Sequence, residues 1–455
     1  MNLKDFLIFQ DASIKEALQA IEENAHGVIF IVDKFDSVFG IATDGDIRRK
    51  LLDDINLESS ISLCANTDFY WANESVSRES LIKKLDEKLK IIPILGEDNK
   101  LIDIVTNDSL PTLDEEAIYV RSKSPVRISF GGGGSDLTHY FSGDIGAVIN
   151  TTISFYSHAT LRIRADKKIL INSLDLKDSI QANNFEELMK PKEGFGLIQA
   201  VIKTIAPNFG FELDLYSDFP MSSGLGGSAV VASSILGCFN ELRQDHWDLH
   251  ELAELAYQAE RLYQGIEGGW QDQYATVFGG FNFMEFKMEQ NLVHPLRLSK
   301  KNLLELEESL ILCDTNTTHN SGNIHSDQRE QMKNLEIKKL VQANVKLCFE
   351  MRDQLLRGRL NEFGRSLNKA WKFKRELSSQ ISNNKLDQIY DDALKNGAIG
   401  GKLLGAGGGG YFIFFVSHAK KLALIEHLNR NGLHPRPFRF ESKGLQSWKV
   451  REQKT

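Results

Sequence analysis

"PMSSGLGGSAVVASSIL", residues Pro220 to Leu236, decides how the rest of the chain is read. Ser222, Ser223, Gly224, Gly226, Gly227 and Ser228 crowd together and give way to small and apolar residues with helical spacing. Upstream, "FELDLYSDF" (Phe211 to Phe219) alternates apolar and polar residues as a half-buried strand does. Strand, tight turn and helix in that order aim the turn's N–H groups and the helix's positive end at one point, which makes an anion site. "GLGGSA" also spells the dinucleotide fingerprint G-x-G-x-x-A, but the helix is expected to run on to about Arg243, and no acidic-ended strand follows at the ribose spacing. A Walker A loop fails for want of its Lys-Ser/Thr pair. What stays is P-x-x-x-G-L-x-x-S from Pro220 through Leu225 to Ser228. The hydroxyls of Ser222, Ser223 and Ser228 at a helix N-terminus suit a triphosphate, and Ser228 is placed to reach its metal ion. A small polar turn without a ligand is the competing reading.

Two further glycine loops accompany it. "SPVRISFGGGGSDLTHYF" (Ser124 to Phe141) is a strand running into Gly131 to Gly134, then Ser135 and Asp136. "GGKLLGAGGGGYFIFF" (Gly400 to Phe415) sets Gly407, Gly408 and their neighbours before a strongly apolar strand. Its Lys402 precedes Leu403, so it is no Walker A loop either. Consecutive glycines let backbone approach a ligand, or another backbone, more closely than side chains allow. Taken singly, a bulge or a tight crossing explains each equally well.

With 455 residues the chain has room for two or three domains with their own cores. Hydrophobic content of 42% and charged content of 25% are those of a globular protein, and periodicity gives α/β or α+β. A net charge of −8, a pI near 5.8 and no Lys/Arg block exclude a basic field for nucleic acid. The start "MNLKDFLIFQDASIKEAL" lacks a basic region ahead of an apolar core, and no apolar run approaches membrane-spanning length. Cys64, Cys238, Cys313 and Cys348 stand far apart with no CxxC pair. Reduced, buried thiols in a cytoplasmic protein without structural zinc are expected.

The first 110 residues hold a repeat. "IFIVDKFDSVFGIATDGDI" (Ile29 to Ile47) lies without a gap over "IPILGEDNKLIDIVTNDSL" (Ile92 to Leu110). Each copy has an apolar strand, a polar turn, a second strand and a Thr at a helix start, Thr43 or Thr106. A helical stretch precedes each, with Leu18 over Leu81. Two half-domains that cannot cover their own apolar faces should pair with each other. "PTLDEEAIYV" (Pro111 to Val120) then brings a proline, an acidic cluster and a new strand, and marks a domain boundary.

The repeat resembles a tandem pair of cystathionine-β-synthase (CBS) domains over residues 1–115. In that family a Thr or Ser, with Asp three residues on, contacts the ribose of an adenine nucleotide. Thr43 and Asp46 match; the second copy keeps Thr106 but has Ser109 for the Asp, and Asp103 where the first has Gly40. The resemblance therefore implies an adenine nucleotide at Thr43 and Asp46, with a packing or dimerisation module, hence a homodimer, as the alternative.

The three glycine loops, in this order, resemble the galactokinase, homoserine kinase, mevalonate kinase and phosphomevalonate kinase (GHMP) superfamily over residues 120–455. That resemblance implies ATP with Mg²⁺ and two subdomains, at 120–298 and 299–455. The first is S5-like, with a five-stranded sheet and a left-handed crossover; the second is ferredoxin-like. It assigns Pro220 and Ser222 to Ser228 to the ATP phosphates. Glu260 follows a helix opened by the capping pair Asp248 and Glu251, beside the apolar stripe Leu249, Leu252, Ala256 and Ala259. The family's glutamate there holds Mg²⁺ with Ser228; a salt bridge to Arg243 or Arg261 is the plain reading. Asp272, in "GGWQDQYATVFGGFNF" between the Gly268–Gly269 turn and a strand, matches the aspartate that activates the acceptor hydroxyl, and Arg127 matches its cationic partner.

Within the superfamily, "RISFGGGGSDL", "GAVINTTISFYSHATLRI" and "KLLGAGGGGYFIFF" look most like the D-glycero-D-manno-heptose 7-phosphate kinases. Gly134, Ser135, Asp136, Gln271, Gly407 and Gly408 then face the sugar or sugar phosphate. Trp270 stands where that branch suggests a basic residue, and "TTHNSGNIHSDQ" (Thr317 to Gln328) has His319 and Asn320 where relatives commonly carry an arginine. Lys374 is either a partner for a substrate phosphate or part of a solvated helix face. Other readings are a fucose- or galactose-like sugar kinase, an ATP-dependent decarboxylase on the same fold, and a catalytically idle binding protein.

Overall fold

Each copy of the N-terminal repeat folds as a helix and an antiparallel hairpin. The computed structural model describes residues 3–76, 78–85, 89–106, 115–220, 223–263, 265, 268–317, 321–332 and 334–453. In it Val28–Val32 pairs with Val38–Thr43, and Ile91–Leu95 pairs with Leu101–Thr106. Both hairpins slip register at the same point of the repeat, between Ile31 and Val32 and between Ile94 and Leu95. The helix Ile14–Asn24 opens on a capping box of Ser13 and Glu16. Its stripe of Ile14, Ala17 and Ile21 closes on Ile29, Ile31, Ala42 and Ile47, with Leu18 half-buried beside them. Leu81 closes likewise on Ile92, Ile94 and Val105. The other faces of the hairpins cover each other, Phe6, Phe30, Val32 and Val38 meeting Leu95 and Ile104. This is the burial that neither half achieves alone. These residues, 1–115 with 453–455, form one unit, and 116–452 form the other. Ser109 lies outside the described residues.

The spine of the second unit is the strand Gly146–Ile163. One of its edges is taken in turn by Phe281–Phe286, Phe440–Glu441 and Phe211–Ser217; the strand Glu115–Gly131 runs antiparallel along the other. Phe211–Ser217 is parallel to Ile169–Ser173, which demands a crossover, and the helix Gly196–Ile205 lies in that connection. Among the described residues the sheet has nine strands where five were expected. Part of the excess comes from the chain's end: Phe440–Glu441 joins the spine and Gln446–Gln453 pairs with Glu115–Gly131. The stretch 299–455 is therefore not a body apart, because its tail returns to the first sheet. There the Leu445 N–H bonds the Val277 carbonyl at 3.2 Å. The Leu445 side chain presses on Gly237, where an added Cβ would lie 2.7 Å from Leu445 Cδ1.

The second sheet sets Ala398–Leu403, Tyr411–Val416, Leu310–Asp314 and His434–Arg436 side by side, all antiparallel. In chain order that is 2-3-1-4 with helices after the first and third strands, the ferredoxin-like arrangement expected. Tyr411–Val416 is buried along its whole length, which explains its unbroken apolar run. One continuous core runs through both sheets. Among the described residues no helix is long and apolar enough to cross a membrane. All four cysteines are free and buried.

Candidate active site

The helix Gly227–Asn240 starts at Gly226, whose φ of +83° places the cap in the left-handed region. Ser228 in its first turn is exposed, whereas Ser223 is buried and its hydroxyl has no partner among the described residues. An unpartnered buried hydroxyl is costly unless something bonds it. The free first-turn N–H groups of the helix complete an anion-binding end. Met221 and Ser222 lie outside the described residues, and Pro220 is exposed at the entrance to the loop.

The third glycine loop lies directly against this one. A Cβ on Gly405 would come 2.5 Å from Gly224 Cα, so only two glycines permit the approach. Further along, Gly407 abuts Ile381, and the Gly408 N–H bonds the Ile381 carbonyl at 2.9 Å. Gly407, expected at the sugar, is thus pressed against another backbone, and Gly408, expected there with it, is half-buried beside the same segment. Gly134 of the first loop meets the same segment at Leu377, with Leu377 Cδ1 3.4 Å from where its Cβ would stand. Ser135 is also turned inward. It is fully buried, its one hydroxyl proton lies within reach of the carbonyls of Gly132 and Ala147, and its oxygen accepts from the Ala147 N–H. The serine therefore secures the loop instead of presenting its side chain to a ligand.

Arg127 links the loops to the carboxylates. Its strand slips register on either side of it, at Pro125/Val126 and Ser129/Gly131, and such bulges re-aim side chains. Arg127 is 3% exposed. Its Nε and Nη2 donate to Asp272 Oδ1 and Oδ2 at 2.8 and 2.7 Å, a bidentate pair, and Nη1 donates to the Gly224 carbonyl at 2.8 Å. The Asp272 side chain keeps 28% of its surface open. Gly226 stands beside the pair, and its absent Cβ would lie 3.3 Å from Asp272 Oδ2.

Asp272 sits in the first turn of the helix Gln271–Phe278, which lies between the Gly268–Gly269 turn and the strand Phe281–Phe286. No side chain of its own caps this helix; the Asp136 carboxylate does the work from across the site, accepting from the Gln271 N–H at 3.3 Å. Asp136 Oδ1 also accepts from the Gly134 N–H at 3.2 Å. Burial, and then the nearby negative charge of Asp272, raise the Asp136 pKa above its ordinary value. Polar contacts tie the helix to the Arg127 strand: Ser129 Oγ donates to Gln271 Oε1 at 2.9 Å, and Thr276 Oγ1 to the Pro125 carbonyl at 2.6 Å. Trp270 stacks on Tyr257 with ring centroids 3.5 Å apart, and its indole N–H bonds Thr138 Oγ1 at 3.0 Å.

Glu260 lies on a π-helical turn, Ala259–Tyr263, that prolongs the helix Leu249–Gln258 behind the Asp248–Glu251 capping box. The residue is 1% exposed, accepts a hydrogen bond from Gln273 Nε2, and has Arg261 Nη1 at 3.9 Å. Of the two arginines weighed from sequence, Arg243 pairs with Asp245 instead. Beside the carboxylate, Gln273 Oε1 is buried without a partner among the described residues. Two hard oxygen donors in one buried spot suit a Mg²⁺ ion. Among the described residues no group of three or more His, Cys, Asp and Glu side chains gathers as a metal site.

Lys374 is buried rather than solvated. It donates to the carbonyls of Leu403, at 3.1 Å, and Gly405. Lys402, missed as a site residue, is 3% exposed on the strand Ala398–Leu403. Burial leads in lowering both amines, Lys402 to about 8. His319 and Asn320 lie outside the described residues. In the other unit, Thr43 and Asp46 form a capping box with each other, and Arg49 Nη2 sits 2.6 Å from Asp46 Oδ1. Their pattern thus has a structural role whether or not a nucleotide binds.

Family models agree with this layout. That of the GHMP kinases N terminal domain matches residues 196–280, GHMP kinases C terminal matches 351–433, and the CBS domain matches 3–53. The D-glycero-alpha-D-manno-heptose 7-phosphate kinase of Campylobacter jejuni is 34% identical over 337 residues, covering 73% of this chain and 99% of its own length. The L-fucokinase/L-fucose-1-P guanylyltransferase of Bacteroides fragilis is 28% identical, over 74% of this chain and 39% of its own. The crystal structure of a D-glycero-D-manno-heptose 1-phosphate kinase from Bacteroides thetaiotaomicron superposes with a TM-score of 0.61 at 29% identity, covering 73% of this chain and 99% of that one.

Proposed function

The chain belongs to the GHMP kinase family, and from that membership we propose that it moves the γ-phosphoryl group of ATP to the anomeric hydroxyl of a sugar. The acceptor is D-glycero-D-manno-heptose 7-phosphate and the product its 1,7-bisphosphate, a step toward nucleotide sugars and surface polysaccharide. The observation that carries this reading is the bidentate Arg127–Asp272 pair beside the phosphate loop. The guanidinium orients the carboxylate, so the open part of Asp272 can take the C1 hydroxyl proton as oxygen attacks phosphorus. ADP leaves in line, and charge on the migrating group is balanced by the N-terminus of helix Gly227–Asn240 and by Arg127.

Ser223, Ser228 and the loop glycines hold the triphosphate in this scheme. Glu260 and Ser228 would hold Mg²⁺, which when bound neutralises phosphate charge. Asp136, with Gln271, orients the sugar. Lys374 is engaged by loop carbonyls, which argues against the basic substrate pocket that a decarboxylase prefers. The Trp270–Tyr257 stack, standing where a cation would meet a 7-phosphate, favours a free fucose- or galactose-like sugar as the second reading. The N-terminal unit is read as a CBS pair that senses an adenine nucleotide through Thr43 and Asp46, or else as a dimerisation module. Free buried cysteines and the demand for ATP fit a cytoplasmic setting. ADP release measured across hexoses, heptoses and their terminal phosphates tests the assignment. Turnover of heptose 7-phosphate at least tenfold above the free sugars is expected, and preference for a free sugar would replace it.

A further inference from the structure

Three cations, Arg127, Lys374 and Lys402, lie buried around Asp136 and Asp272. Arg127 has an evident task. Lys374 is further from the chemistry, and its contacts say what it does. It projects from the helix Leu360–Glu376 on the same face as Leu367, Ala370 and Trp371, all buried. A buried ammonium needs acceptors, and Lys374 finds them in the carbonyls of Leu403 and Gly405, at the head of the third glycine loop. Gly405 in turn lies against Gly224, and a Cβ on Gly224 would come 2.9 Å from the Leu404 carbonyl oxygen. The Gly224 carbonyl accepts from Arg127 Nη1 at 2.8 Å, and the same guanidinium grips Asp272. One line of contacts thus runs from the Lys374 amine to the phosphate loop and the proposed base.

We propose that Lys374 is a positioning residue for phosphoryl transfer: by gripping the Leu403 and Gly405 carbonyls it seats the third glycine loop against the phosphate loop and so fixes the ATP-binding loop relative to the Arg127–Asp272 pair. The inference rests on the ATP-dependent kinase reading of the site. Its electrostatics add a pH signature. Burial, then the charges of Lys402 and Arg127, lower the Lys374 pKa well below 10.5, and Asp136 and Asp272 offset this in part. The groups facing it are therefore Lys402 on its strand, Arg127 on its strand, Asp136 in the first loop and Asp272 on its helix. As pH rises through the lowered value the ammonium becomes an amine, and charge-assisted bonds to the two carbonyls weaken. The loop contact should loosen with them.

The test uses the full-length protein with MgATP as the probe, titrated calorimetrically, and with heptose 7-phosphate turnover followed by ADP release. Lys374→Met should weaken MgATP binding about tenfold or more, the loss of charge-assisted hydrogen bonds. Lys374→Arg, which keeps donors and stays charged, should hold affinity within about threefold of wild type. From about pH 6 to about pH 10, approaching the ordinary lysine value, wild-type affinity should decline more steeply than that of Lys374→Arg, which keeps the contribution of Lys402, lowered to about 8. Lys374→Met with unchanged affinity and a cooperative melt overturns the proposal, as does an alkaline decline in Lys374→Arg as steep as that of wild type. If Lys374→Met does not fold, the arginine profile decides alone. Failure of the kinase reading looks different: wild type would not bind MgATP at all, whereas a wrong sugar would silence turnover and leave these affinities measurable.

Discussion

Replacing Asp272 with Asn tests the core of the mechanism, and the geometry sets its size. Both carboxylate oxygens accept from Arg127, at 2.8 and 2.7 Å. An amide offers one oxygen; its NH₂ group would point a donor at a guanidinium donor. Arg127 is 3% exposed, so it cannot turn to water for compensation. Breaking a buried pair costs about 3–5 kcal/mol, and the 28% exposure of the Asp272 side chain argues for the lower end, about 3 kcal/mol. Asp272→Asn should accordingly melt at a lower temperature while still folding. Loss of the proton acceptor should reduce kcat by about two to four decades, or about 2.7–5.4 kcal/mol in the barrier. The ATP contacts belong to the loop serines and the helix end, so MgATP affinity should change by less than about tenfold. The assay pairs steady-state ADP release with calorimetric MgATP titration and a thermal melt. A variant with near wild-type kcat and much weaker MgATP binding would mean that base and metal ligand have been assigned the wrong way round.

Ser228→Ala should weaken MgATP binding first, by about tenfold, and lower kcat less, as kinetics over a range of ATP and Mg²⁺ concentrations would reveal. Asp136→Asn should lower kcat/KM for the sugar about tenfold or more; unchanged kinetics would remove Asp136 from the sugar site. Because the folded-state pKa of Asp136 is raised, the fold favours its protonated form; that stability is full below the ordinary value of 3.8 and is lost as pH rises through the raised value. Melts of wild type and variant should therefore diverge with rising pH, and a constant difference would show Asp136 to be unperturbed. Removing residues 1–115 should leave a fragment 116–455 that melts cooperatively and turns over ATP, and the excised unit should bind AMP or ATP unless Asp46 is changed to Ala. An inactive but folded 116–455 would show the units to be interdependent, and an excised unit that binds neither nucleotide would leave it a packing role.

The three loops were legible because glycine runs have few uses, and here two of the loops touch where only glycines fit, at Gly224 and Gly405. Motif spacing could not reveal which glycines lie against another backbone, as Gly407 does against Ile381. Asp272 was placed between a turn and a strand without the helix that carries it, because that helix has no local cap and Asp136 caps it from elsewhere in the chain. Lys374 shares its helix face with Leu367, Ala370 and Trp371, so its burial was present in the 3.6-residue period although its charge masked it. Thr43 and Asp46 illustrate a different limit, since a ribose-binding pair and a capping box are written alike. The nine-stranded sheet was beyond reach because its extra members include a tail that no local pattern ties to the first sheet.

That tail ties together parts of the catalytic unit that are far apart in sequence. Phe440–Glu441 and Gln446–Gln453 fill positions in the sheet laid down by Glu115–Gly131 and Gly146–Ile163, and Leu445 reaches two helices at once, at Gly237 and at Val277. Pairings of such long sequence separation are slow to form, because a large loop must close before they reward the chain. Until they do, the edge of Glu115–Gly131 stays unpaired and open to wrong partners. A chain without Phe440–Gln453 would have every loop and every charged group of the site and still lack the clasp that holds them in register.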